Sequence, residues 1–274
     1  MGDSAKKILF VNAQMYPYLP ETRMAKICRE LPQGIQERKK EIRAFMPRYG
    51  CINERKNQLH EVIRLSGMNI IISDVDRPLV IKVASISAAR IQVYFIDNED
   101  YFRRKQIDHD DNGQFFADNG ERAIFFARGV LETVKKLRWA PDIIHCSGWI
   151  SHVLPLYLKK AYKDDPIFSN SKVVLSLFED ATPDPLAPGF DQTILFGAIK
   201  PEDVSLSPQA DGIELAKLAA QYSDGIILGS PDVNPALAEH VNTLGVPVLP
   251  CDEAALSDGS YVDTYNAFYD NLLA

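Results

Sequence analysis

The chain has 274 residues, of which 46% are hydrophobic, and its formal net charge is −7. That length allows one large α/β domain or two small ones, with one expected, while the acidic balance argues against non-specific contact with a nucleic-acid backbone and no apolar run reaches membrane-span length. The cysteines Cys28, Cys51, Cys146 and Cys251 are widely spaced with no Cys-x-x-Cys pair, and the apolar stretch after Lys6-Lys7 lacks a signal-peptide cleavage pattern, so reduced thiols in a cytoplasmic protein are expected.

Gly2 does not head a myristoylation motif, because Lys6 stands where Ser or Thr is needed. Lys7-Ile8-Leu9-Phe10-Val11 reads as a strand, followed by a loop through Met15-Tyr16-Pro17-Tyr18 and a helix with Thr22 at its cap. Arg38-Lys39-Lys40 falls at that helix's end, where cations complement the macrodipole. Strand formers recur at 41–46, 62–73, 79–86 and 90–96 and suggest a strand-rich insertion. Asp108-His109-Asp110-Asp111-Asn112-Gly113 matches the first half of a calcium loop, but position twelve is Asn119 and Glu121 comes two residues late. An acidic surface turn is the better reading, with calcium as the alternative, and no cofactor is expected.

A helix from about 121 to 137 carries an apolar face of Ile124, Phe125, Ala127, Val130, Leu131 and Val134. Strands then follow at Pro141-Asp142-Ile143-Ile144-His145, Lys172-Val173-Val174-Leu175, Gly225-Ile226-Ile227-Leu228 and Val246-Pro247-Val248-Leu249, separated by helices at 153–162, 212–222 and 235–244. That alternation gives an α/β fold with a Rossmann-like, mainly parallel sheet. Segments 164–171, 182–189 and 250–258 carry little regular signal, and the middle one, with Pro183, Pro185, Pro188 and Gly189, is expected to be a mobile connection. In 260–274, Tyr261, Tyr265, Phe268, Tyr269 and Leu272 recur at helical spacing.

Met15, Pro17, Ala25, Leu31 and Pro32, then Met46-Pro47-Arg48-Tyr49 and Tyr94-Phe95-Ile96-Asp97, fall in order on positions of the glycogen and starch synthases, glycosyltransferase family five. The series continues with Asp118-Asn119, Arg122 and Phe125, the strand ending at His145, Trp149, Lys217, Tyr222-Ser223-Asp224 and Ser230-Pro231. The chain thus resembles the N-terminal Rossmann lobe of these two-lobed, GT-B-type transferases, and within them the short members found in Bacteroidetes. The resemblance implies elongation of an α-1,4-glucan from nucleotide-activated glucose, with the acceptor on this lobe and most donor contacts on a second. A chain of 274 residues leaves no room for that second lobe, so a partner protein would supply it. It also implies a lobe over 1–250 and a C-terminal loop and helix over 251–274 that docks its aromatic stripe on the same lobe near the first strand, with an ordinary terminal helix added to the sheet's edge as the alternative.

The sequence departs from the family at reactive positions. The family's Lys-x-Gly-Gly, where glycines let the backbone approach the donor diphosphate, reads Pro20-Glu21-Thr22-Arg23. Proline offers no N–H, Glu21 repels phosphate, and Arg23 alone could restore charge. A plain solvated turn capped by Thr22 is the alternative. The family's His-Asp-Trp reads Ser147-Gly148-Trp149, and its Thr-Val-His-Asn region corresponds to Ser176-Leu177-Phe178-Glu179-Asp180. His145 and Trp149 lie at or beyond a strand end, where an aromatic face can stack on a sugar, or where both can pack the core. Glu179 and Asp180 could accept sugar hydroxyl hydrogen bonds or simply be solvated. Ser147 with His152 makes no hydrolase, since there is no Gly-x-Ser-x-Gly elbow.

The substrate-binding candidates are therefore Glu21, Thr22, Arg23, Asp118, Asn119, His145, Ser147, Trp149, Glu179 and Asp180, with no catalytic residue named. Ligand candidates are α-glucan and nucleotide sugar, with no nucleic acid and no membrane. Three readings stay open: a glucosyltransferase, a non-catalytic glucan-binding or regulatory protein, and an interaction module on a Rossmann scaffold.

Overall fold

The computed structural model describes residues 5–274, and Gly2 lies outside the described residues. Strand β1 (Lys7–Asn12) leads into α1 (Arg23–Glu37), whose first turn is capped by the Thr22 hydroxyl accepting the Ala25 N–H at 3.0 Å. β2 (Glu41–Pro47) follows, then the insertion strands β3 (His60–Glu61), β4 (Met68–Ile72) and β5 (Val75–Ile86), and β6 (Ile91–Asp97). The short α2 (Glu99–Phe102) precedes α3 (Asn119–Leu137) and β7 (Ile143–Ser147). The chain continues through α4 (Leu154–Lys160), β8 (Lys172–Leu177), α5 (Phe190–Thr193), α6 (Gly212–Gln221) and β9 (Gly225–Leu228). It ends with α7 (Pro235–Val241), β10 (Val248–Leu249), α8 (Glu253–Asp258) and α9 (Tyr261–Leu273).

The strands run in the order β10-β9-β8-β7-β1-β2-β6-β5-β3, with β4 paired to β5 as a hairpin. From β10 to β6 every pairing is parallel, whereas β5 is antiparallel to β6, β3 and β4. This is the mixed, mainly parallel α/β sheet expected. Its central strands are apolar on both faces because helices cover both sides, as a parallel sheet requires. The strand order reverses between β1 and β7, and open α/β sheets bind ligands at the carboxyl ends of the strands at such a point. There the chain leaves β7 through Gly148 at φ +88°. A Cβ at this position would stand 2.4 Å from Ala13 Cβ and 2.9 Å from Met24 Sδ, so glycine is demanded by both dihedral and space.

Three expectations are corrected. The strand expected over 62–73 is broken, because Leu65 N–H turns back to the Val62 carbonyl at 2.9 Å and Gly67 takes φ +85° before β4 begins. The segment 250–258 is not irregular throughout: Asp252 accepts the Ala255 N–H at 3.0 Å and starts α8. His145 does not end its strand but lies within β7, which runs on to Ser147. The segment 182–189 has no helix or strand, yet Leu186 N–H reaches the Ala210 carbonyl at 2.8 Å and Pro185 bridges Asp211.

Helix α9 lies against α1 and over the sheet. Tyr269 is fully buried, and its hydroxyl is 2.5 Å from His145 Nδ1, whose Nε2 is 2.6 Å from the Ser176 hydroxyl. Burial pushes the His145 imidazole down to about 3, so it is neutral, with one ring nitrogen donating and the other accepting. At the rim, Arg38 pairs with Asp263 and Lys40 with Asp270 at 2.8 Å, while Val262 packs over Gly34.

Tyr269→Phe removes one partner of a buried imidazole and is expected to cost about 1–3 kcal/mol in urea unfolding. Gly148→Ala forces a side chain onto positive φ and into Ala13, and is expected to cost at least about 2 kcal/mol by the same measurement. His145 and His152 are both held neutral by burial, with their pKa values pushed down to about 3. The unfolded chain, with histidines near 6.5, takes up protons first, so stability falls progressively as pH drops from about 6.5 towards 3. A melting temperature that stays flat between pH 7 and pH 5 would contradict this.

Candidate functional site at the carboxyl edge of the sheet

At the switch point β1 and β7 pair through Asn12↔Ser147, and the Ala13 N–H donates to the Ser147 carbonyl at 2.8 Å. Asn12 is 1% exposed, and neither of its amide atoms has a partner among the described residues. From the end of β8, Asp180 reaches across: its Oδ2 accepts the Trp149 N–H at 2.7 Å and lies 3.0 Å from where a Gly148 Cβ would stand. Part of the Asp180 residue meets solvent, but its Oδ1 is enclosed and unpartnered. Burial, reinforced by the charges of Glu179 and Asp108, raises this carboxyl to about 7. The Tyr49 hydroxyl, just beyond β2, is also buried without a partner.

Trp149 is nearly buried, and its ring meets Phe115 edge to face with centroids 5.6 Å apart. Phe115 in turn packs on His109 at 5.2 Å. The residues expected to resemble a calcium loop are committed elsewhere. Asp110 Oδ1 accepts the N–H groups of Asn112 and Gln114 at 2.8 and 2.9 Å, closing an acidic turn, and Asp108 faces His109. No group of three or more His, Cys, Asp or Glu side chains arranged for a metal is found among the described residues.

The remaining candidates separate into distinct settings. Glu21 is exposed, and the Thr22 hydroxyl donates to Gln14 Oε1 at 3.0 Å while capping α1. Arg23 pairs with Glu253 of α8 at 3.5 Å, an exposed contact worth about 0–1 kcal/mol. These residues lie close to the turn that leaves β7, since the next one, Met24, lies against Gly148. Asp118 accepts from Arg104 at 2.6 Å. Asn119 donates to the Asp108 carbonyl at 2.8 Å and accepts from the fully buried Arg122 at 2.5 Å. Both therefore anchor the loop ahead of α3. His145 is enclosed in the sheet, and Glu179 faces solvent. The fold gathers Ser147, Trp149 and Asp180 at one edge and adds Asn12 and the His109 cluster, which the sequence reading did not select. A polar Asn12 closing an otherwise apolar strand was the available signal for the first.

The starch synthase catalytic domain family matches residues 7–244. Glycogen synthase of Chlorobium limicola is 36% identical over 225 residues, covering 80% of this chain and 44% of its own length. Glycogen synthase of Chlorobaculum parvum is 32% identical over 234 residues, covering 85% and 47% respectively. The chain thus spans about half the length of the curated relatives it matches. Among solved structures, the catalytic domain of starch synthase IV from Arabidopsis thaliana, bound to ADP and acarbose, superposes with a TM-score of 0.72 at 14% identity over 90% of this chain and 51% of that one. At that identity the likeness establishes the shared GT-B fold alone. With the family matched from the first strand to the end of α7, and with its parallel sheet and switch point in place, this chain belongs to the starch synthase catalytic domain family.

Proposed function

We propose that this chain is the acceptor-engaging N-terminal lobe of a glucosyltransferase that extends α-1,4-glucan from nucleotide-activated glucose, with the donor-binding half contributed by a partner polypeptide. Family membership supports the reaction class, and one observation carries the location: Asn12, Ser147, Trp149 and Asp180 converge at the carboxyl edge where β1 and β7 diverge. The unpartnered amide of Asn12 suits sugar hydroxyls, while the Ser147 hydroxyl is engaged by Cys28, and the acidic Glu179 and Asp180 disfavour a bare phosphate there. Residues 251–274 are, in this reading, the closing element that returns to the lobe. A cytoplasmic location and kinship with the short members of Bacteroidetes belong to the same proposal. Among the described residues no helix is long and apolar enough to cross a membrane.

A second reading, glucan binding without transfer, is favoured by the start of α1. Pro20 supplies no N–H, Thr22 is committed to its cap, and Arg23 already faces Glu253. Retaining transfer needs the leaving diphosphate stabilised as charge develops, and these groups offer little for that.

Titration calorimetry with maltoheptaose, ADP-glucose and UDP-glucose, beside a radiolabel transfer assay, tests both. Maltoheptaose binding with donor binding and transfer supports the synthase. Maltoheptaose binding with neither selects the glucan-binding reading, and no maltoheptaose binding overturns both. Where a donor binds, Arg23→Ala is expected to weaken it several-fold, roughly the loss of one charge-assisted contact; an unchanged affinity removes Arg23 from the site.

A further inference from the structure

His109 stands between two irregular segments, one of which reaches Trp149 through Phe115. Its Nδ1 is 2.9 Å from Asp108 Oδ1 in its own turn, and its Nε2 is 3.3 Å from Asp184 Oδ2 in the proline-rich segment 182–189. Ionised carboxylates only accept hydrogen bonds, whereas a neutral imidazole carries a single N–H. Both contacts can therefore be hydrogen bonds only when both ring nitrogens are protonated. The loss of one proton turns a bare nitrogen lone pair towards a carboxylate oxygen, and that contact becomes repulsive.

The two contacts are not equivalent. Asp108 is the neighbouring residue, and its backbone is fixed independently: its carbonyl accepts from the Phe116 N–H at 2.9 Å and from Asn119 Nδ2 at 2.8 Å. Asp184 also has its backbone held, its carbonyl accepting from the Gly212 N–H at 3.3 Å, but its side chain makes the longer contact to the ring. The bond surrendered on deprotonation is the one to Asp184. The ring of His109 also carries Phe115, which leans on Trp149, so the join lies beside the candidate site.

We propose that His109 is a pH-operated clasp joining the 108–116 turn to segment 182–189 beside the candidate site, closed when both ring nitrogens carry protons and open when one is lost. The groups facing the ring are Asp108 in its own segment and Asp184 opposite, with Asp110 beside it in the turn. Beyond Asp108 lie Arg122 of α3 and Asp180 at the end of β8. Hydrogen bonding to Asp108, followed by the Asp184 contact, raises the His109 pKa above its ordinary value. The clasp is thus fully closed below about pH 6.5 and is released as pH rises through that raised value. As regulation of glucan access the clasp rests on the function proposed above; as a conformational device it does not.

The test combines an NMR titration of the histidine side chains with amide hydrogen exchange of 182–189 at pH 6 and pH 8.5, corrected for intrinsic exchange. His109 is expected to titrate above 6.5, and 182–189 to exchange about fivefold more slowly at pH 6, the protection expected of a half-exposed ion pair. Asp184→Asn should lower the titration midpoint, and His109→Gln should make exchange independent of pH. A midpoint at or below 6.5, or exchange in 182–189 that is unmoved by pH, overturns the clasp whatever the glucan result. If maltoheptaose binds, its affinity should rise from pH 6 to pH 8.5 in the natural protein but not in His109→Gln. A clasp that titrates as expected while maltoheptaose binding stays flat or absent removes only its role in glucan access.

Discussion

Strand β1 is hydrogen-bonded in parallel on both flanks, to β2 from Lys7↔Glu41 to Val11↔Phe45 and to β7 from Ile8↔Ile143 to Asn12↔Ser147. That double pairing makes β1 the axis from which the chain winds outward in two directions, and it sets the reversal of strand order at its carboxyl end. Because the two registers are fixed, Ala13 and Ser147 meet there through the backbone, and the chain must turn away in a confined space. Gly148 answers that confinement with a positive φ, and no side chain could be accommodated on the path it takes. The Trp149 turn, the approach of Asp180 and the seating of α1 beside them follow from that constraint.

A carboxylate from the end of β8 occupies the space beside Gly148. Where the family carries an acidic residue between His and Trp, this chain carries that glycine. Asp180 Oδ2 accepts the Trp149 N–H, and burial raises the carboxyl to about 7. In the first loop, Thr22 acts as a helix cap, and the one cation, Arg23, is faced by Glu253 from the C-terminal segment.

The C-terminal helix is joined to the sheet by chemistry as well as by area. A Tyr269–His145–Ser176 chain of hydrogen bonds connects α9, β7 and β8 in a fully buried setting, where each polar group must find its partner. This explains why a histidine that resembles a ligand in the sequence serves the core. It also ties the stability of the lobe to the neutral form of an imidazole, whereas the partly exposed His109 is shifted in the opposite direction by its carboxylates.

Period and composition were sufficient for most elements. The apolar run at Lys7–Asn12, the amphipathic face of Asn119–Leu137 and the later alternation of strand and helix depend on neighbours a few residues apart, and so did the Thr22 cap. The family was likewise legible, because motifs such as Asp118-Asn119 and Trp149 occur in order along the chain. The roles of those residues were not. Whether His145 faces solvent or Tyr269, and whether Asp180 is solvated or holds the Trp149 N–H, depend on residues 124 and 31 positions away. Sequence spacing carries no information about such partners, and burial, which sets both their charge state and their hydrogen-bonding needs, exists only once the sheet has closed. The sequence by itself determined most of the strands and helices and the kinship; the tertiary structure decided which polar groups gather at the sheet's carboxyl edge and which hold the core, because long-range packing alone assigns each its partner and its solvent.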